Sequence, residues 1–233
     1  MKLLQSVYII CLFSFFFFSC AFAPVNNQYE KAATLKQGNV ELAGSFTGYS
    51  AGGVGGTEST NNNFGFRAGY GISDKVDLKF RYERLTPRDG LVGEDVFDEG
   101  NISGVNYFSI IPKFALIPKK LSLLVPLSHY SFSQEIDGKE TNGIFNSIAP
   151  QLIYTVTNNK NTSDFSFGLK ADCLLNNDGG GGVLLGTTLG AGLSSDLSKW
   201  AIRPEVGAMF IGGGAYLSYG IGLQFIVSKN KQR

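Results

Sequence analysis

One histidine, one tryptophan, three cysteines and seven prolines are all that 233 residues contain of those four types. No two cysteines are spaced as a zinc site, and the single histidine removes most other metal centres. Charge is scarce too: 17% of residues, balanced to a net +1. A nucleic-acid binder held by counterion release needs a basic excess, which is absent. A disordered chain would show far fewer than the 43% hydrophobic residues found here. What is abundant is glycine, 30 residues, alongside 19 Phe and 10 Tyr. No Gly-X-Y period accompanies it, so glycine and aromatics together indicate a β-rich protein with close backbone approaches.

Long membrane helices are missing. Val7 to Phe18 is an uncharged, largely apolar run of twelve residues behind Lys2. As a helix it spans about 18 Å, short of a bilayer core of about 30 Å, and it reads as a signal peptide. Phe17-Phe18-Ser19-Cys20 resembles the lipobox of bacterial lipoproteins, which implies an acylated Cys20 as the first mature residue. Pro24 disfavours the ordinary cut after Ala23. Ala21, rather than Asp, follows the cysteine, which in such lipoproteins implies the outer membrane. The expected division is a signal peptide over 1–19, a periplasmic lead over 20–37, a barrel over 38–227 and a polar tail over 228–233. Cys11 leaves with the signal and Cys20 carries lipid, so Cys173 has no disulfide partner.

Val206 to Val227 is also free of charge for 22 residues. Six glycines inside it would each cost a helix about 1 kcal/mol, and its residues from Ala215 alternate with period two. The same alternation runs through 40–47, 64–72, 76–83, 165–173 and 200–208, and less cleanly through 105–116, 121–130, 146–156 and 183–194. Short connections at 73–75, 117–120, 157–163 and 195–199 alternate with longer ones at 50–62, 86–104, 131–144 and 176–182, and the last, Gly212–Gly214, breaks the rule by being short. The expectation is all-β: a single antiparallel up-and-down transmembrane β-barrel of about ten strands, eight being the smaller option. A lipocalin-like soluble barrel also alternates. Strands near ten residues, glycine on the polar face and Tyr70, Tyr82, Phe165 and Trp200 near strand ends favour lipid on the apolar face.

Cys20 and these successive hairpins, above all Phe64–Glu83 with its Ile72-Ser73-Asp74-Lys75-Val76 turn, look like a small bacterial outer-membrane β-barrel protein. The resemblance covers roughly 38–227, although such barrels commonly end on an aromatic residue and this chain ends its last strand at Val227. It implies outer-membrane lipid and lipopolysaccharide as surroundings, a monomer, and the N-terminal lipid on the periplasmic side.

Apolar side chains turned outward leave an inward set of Glu41, Arg67, Asp77, Lys79, Arg81, Glu83, Lys170, Asp172, Arg203 and Glu205. Arg67 is expected to face the Asp77–Glu83 strand, and Arg203 shares a strand with Glu205, so that opposite charges come together in a polar network that fills a narrow lumen. His129 shares a strand face with Ser131, near Glu135. Those residue types serve outer-membrane lipid A deacylases, but Phe132 stands where that family has Asn, so no catalytic residue is assigned. Asp89, Glu94, Asp95, Asp98 and Glu99 lack the regular spacing of a Ca²⁺ loop and read as a solvated acidic loop. No metal or cofactor is expected. The reading is a non-enzymatic barrel, structural or surface-exposed, with a possible extracellular ligand at loops 50–62 and 86–104. The alternatives are a narrow porin-like channel and a lipid-modifying enzyme.

Overall fold

The computed structural model describes residues 24–53, 56–87, 100–136, 139–175, 182–211 and 214–228. Twelve strand segments form one antiparallel sheet: β1 (Val40–Gly53), β2 (Gly56–Ser73), β3 (Val76–Pro87), β4 (Gly100–Ile117), β5 (Leu121–Leu124), β6 (Leu127–Ile136), β7 (Lys139–Ile148), β8 (Gln151–Thr157), β9 (Ser163–Leu175), β10 (Gly182–Leu193), β11 (Trp200–Ile211) and β12 (Gly214–Val227). Proline interrupts two spans. Pro126 separates β5 from β6 and Pro150 separates β7 from β8, since a prolyl nitrogen donates nothing to the ladder. Each pair is therefore one span, and the sheet is a closed ten-strand barrel. Closure is made by β1 against β12, from Val40 opposite Val227 to Gly52 opposite Ala215.

Several spans exceed the ten residues expected. β2 and β4 each have 18 residues. Residues 50–62 and 131–144, anticipated as loops, are largely hairpin: Ser50 pairs with Ser59, and Ser131 with Ile144. Their Ser, Thr, Asn and Gly residues lack apolar alternation, yet the ladder hydrogen bonds continue through them. Most of loop 86–104, with its five acidic residues, lies outside the described residues, as does Cys20.

The two faces are inverted relative to a water-soluble barrel. Phe165, Leu189, Leu185 and Phe64 stand exposed on the outside, Phe165 at 69%, while Glu41, Arg67, Asp77, Lys79, Arg81 and Glu83 are buried inside. A surface this apolar is stable against hydrocarbon and costly against water. Among the described residues no helix is long and apolar enough to cross a membrane.

The lead is where sequence and structure part. Of residues 24–37, anticipated as a periplasmic segment, 24–35 lie inside the barrel, every one from Pro24 to Glu30 is buried, and Lys36 and Gln37 are exposed at its short-turn end. Gly38 N–H then bonds the Gly71 carbonyl at the short-turn end, where β1 begins.

Candidate functional site: the occupied lumen

An extended chain carries a donor and an acceptor at nearly every residue, so entry into a barrel requires partners for them. The inner wall supplies these as side chains. Asn26 N–H donates to the Tyr49 hydroxyl at 2.8 Å. Gln28 and Tyr29 N–H donate to the two oxygens of Glu205 at 2.7 and 2.9 Å. Ala32 N–H reaches Thr155 Oγ1 at 2.7 Å, and Leu35 N–H is bridged by both oxygens of Asp77 at 2.9 and 3.0 Å. The cations take the carbonyls. Lys170 donates to Val25, Arg81 to Asn27 at 2.7 Å, Arg67 to Gln28, and Lys113 to Lys31 and Ala33 at 2.6 and 2.9 Å.

At the centre sits Glu30, whose carboxylate faces three cations: Arg67 at 3.2 Å, Lys113 at 3.0 Å and Lys79 within ion-pair distance. Arg67 and Lys79 also hold Glu41, at 2.8 and 2.9 Å, and Gln224 donates to Glu41 at 2.6 Å. Such a cluster tolerates its desolvation because the charges share partners and geometry. Above it, toward the long loops, Val25 packs with Leu85, Val105, Tyr107 and Tyr130, with Phe132 and Phe145 against that cluster. The Tyr130 and Phe145 rings stack at 4.2 Å. A second apolar cluster joins Ala32 to Ile111, Leu124 and Ile153.

Glycine makes the space. A Cβ added at Gly222 would stand 2.8 Å from Tyr29 Cβ, and one at Gly71 would stand 2.2 Å from the Lys36 carbonyl oxygen. The inward glycines thus admit the backbone of the lead.

All ten residues of the anticipated network are buried within the barrel, but several meet partners other than those expected. Arg67 lies opposite Arg81 in the register and pairs with Glu41 and Glu30. Arg203 pairs with Asp164, at 3.1 and 2.9 Å, and bonds Gln224 at 2.7 Å, leaving Glu205 to the lead. Arg81 pairs with Glu83, and Lys170 with Asp172 at 2.8 Å. Asp77 serves a backbone amide of the lead. The physical reason is the lead itself: it brings Glu30 and a dozen backbone groups that compete for the wall. Glu30, Lys113 and Asp164 were missed. Lys113 lies at an inward position within the alternating stretch 105–116 of β4, and Asp164 on β9 stands one step before the alternation at 165–173.

His129 is exposed on the outer wall, where its Nδ1 is 2.9 Å from Asn146 Oδ1. Among the described residues no cluster of His, Cys, Asp or Glu is arranged to hold a metal. Cys173 is half-buried and free.

The geometry can be set beside solved structures. The translocator domain of the autotransporter NalP from Neisseria meningitidis is similar in fold, with a TM-score of 0.51 and 13% identity over 81% of this chain and 88% of that one. The barrel architecture is shared. Weaker likenesses are the attachment invasion locus protein Ail of Yersinia pestis (TM-score 0.38, 10% identity, 82% and 99% covered) and an outer membrane channel from Pseudomonas putida F1 (0.44, 11%, 88% and 100%). No protein-family model and no curated protein matches the chain.

Proposed function

We propose that this chain is a non-enzymatic outer-membrane β-barrel, structural or surface-exposed, whose lumen is closed by its own N-terminal lead. Three things support the reading: the apolar exterior, the barrel fold shared with NalP, and the twelve-residue connection 88–99 at the end opposite the Ser73–Lys75 turn, an arrangement expected when that turn faces the periplasm. The observation that carries it is the lead, whose backbone amides and carbonyls are taken one after another by wall side chains. A solute path would have to break those contacts.

One observation favours the narrow-channel reading. Ser122 Oγ, Ser147 Oγ and both polar atoms of Gln151 are buried with no protein partner, and water along the β5–β8 wall would satisfy them. Purified protein in a planar bilayer decides between the two. The closed reading expects no steady conductance. A large, stable conductance in the unmodified protein would overturn it.

A further inference from the structure

The lead has a direction. On β3, the inward residues Asp77, Lys79, Arg81 and Leu85 climb from the short-turn end toward the long loops. Their partners in the lead are Leu35, Glu30, Gln28 with Asn27, and Val25. On β1, Thr47 meets Tyr29, and Tyr49, nearer the loops, meets Asn26. On β11 and β12, Glu205 takes Gln28 and Tyr29, while Ser218 lies by Asn26. Three walls agree that the chain descends from the loop end to the turn end as residue number rises.

We propose that the lumen is a directional binding site for an extended peptide, filled by residues 24–35 so that the mature N-terminus emerges at the loop-side mouth. The site reads backbone as much as side chain: Glu205 and Asp77 each grip amides with two oxygens, and Lys113 spans two carbonyls. Reversing the strand would exchange donors for acceptors at those points, so polarity is built into the wall. The side-chain key is an acidic residue at position 30, facing three cations, followed by a small one at 32, in the pocket of Ile111, Leu124 and Ile153.

This places any lipid on Cys20 differently from the expectation of a periplasmic anchor. Val25 packs at the level of Leu85, eight residues along β3 from Asp77. That is about 26 Å of strand, or about 20 Å of depth at a tilt of about 40°. The five residues from Cys20 to Pro24 reach at most about 18 Å, and the lumen they would have to re-enter is occupied. With the lead seated, the anchor and the periplasmic leaflet are incompatible.

The inference depends on the turn-inward orientation proposed above, and the test separates the two. In the full chain, an epitope is inserted immediately before Pro24, and in a second version within the Ser73–Lys75 turn. Antibody is applied to intact cells and to cells with a permeabilised outer membrane. Seating is read separately, as resistance of residues 24–37 to protease in the detergent-solubilised full chain. The expected result is labelling before Pro24 on intact cells, labelling of the turn only after permeabilisation, and a protected lead. Labelling before Pro24 only after permeabilisation would overturn the proposal, as would ready cleavage within residues 24–37 of an intact barrel. Labelling of the turn on intact cells would overturn the orientation instead.

Discussion

Replacing Glu30 with Gln is the sharpest perturbation of the closed lumen. The substitution keeps the shape and removes one charge, so Lys113 loses its only ion-pair partner among the described residues, while Arg67 and Lys79 keep Glu41. The Lys113 side chain is 0% exposed and cannot reach water without moving the lead. Removing one member of a buried pair typically costs about 3–5 kcal/mol. That cost falls on the seated state alone, because a withdrawn lead leaves Lys113 facing an open, wet lumen. The ratio of seated to withdrawn lead should therefore fall by about two to three and a half decades, at about 1.4 kcal/mol per decade. In a planar bilayer this appears as opening events absent from the unmodified protein, and in detergent as protease cleavage within residues 24–37 of an otherwise intact barrel. Adding Lys113→Met to Glu30→Gln should restore part of the closure, since the orphaned cation is then gone. If Glu30→Gln stays as closed and as protease-resistant as the parent, the ion cluster does not hold the lead and the reasoning fails.

Other outcomes follow from the same contacts. Gly222→Ala brings a methyl to 2.8 Å from Tyr29 Cβ and should destabilise the seated lead by about 1–3 kcal/mol, with Tyr29→Gly relieving the clash; protease sensitivity of residues 24–37 reads both. Arg67→Ala removes contacts to Glu30, Glu41 and the Gln28 carbonyl at once, and should lower the temperature at which the folded band is lost on unboiled gels, with unchanged mobility sinking the claim. Phe145→Ala strips the stacked partner from Tyr130 and should cost about 3–5 kcal/mol in urea unfolding of the detergent-solubilised barrel. His129→Ala should leave the lipid A of expressing cells unchanged, and a loss of lipid modification would reinstate an enzyme.

The wall was legible because burial on one face imposes period two, and β3 and β11 show it without interruption. Where polar residues replaced the apolar alternates, as in Thr57 to Asn63, the same ladder left no periodic trace. The uneven patterns at 121–130 and 146–156 have a backbone cause. Val125, Ala149 and Ala171 N–H bond the carbonyls of Pro112, Pro126 and Pro150, each at 3.0 Å, so three neighbouring spans are reset along one line of prolines. The lead was illegible for a different reason. Its fourteen residues are neither helix nor strand, and nothing local distinguishes a chain bound by side chains from one bound by water.

Alternation assigns a residue to a face but not to a partner, and that difference decides what the lumen does. Among the described residues the barrel buries six acidic and six basic side chains, and the lead adds Glu30 and the half-buried Lys31, one of each. The interior is neutral with the lead or without it, so no net field draws the segment in. Retention comes instead from geometry at single points: two oxygens of Glu205 on consecutive amides, three cations on one carboxylate, a glycine where Tyr29 passes. Buried contacts of this kind are screened little by salt. Closure that survives high ionic strength, and fails only when one of those points is altered, is the behaviour this arrangement produces.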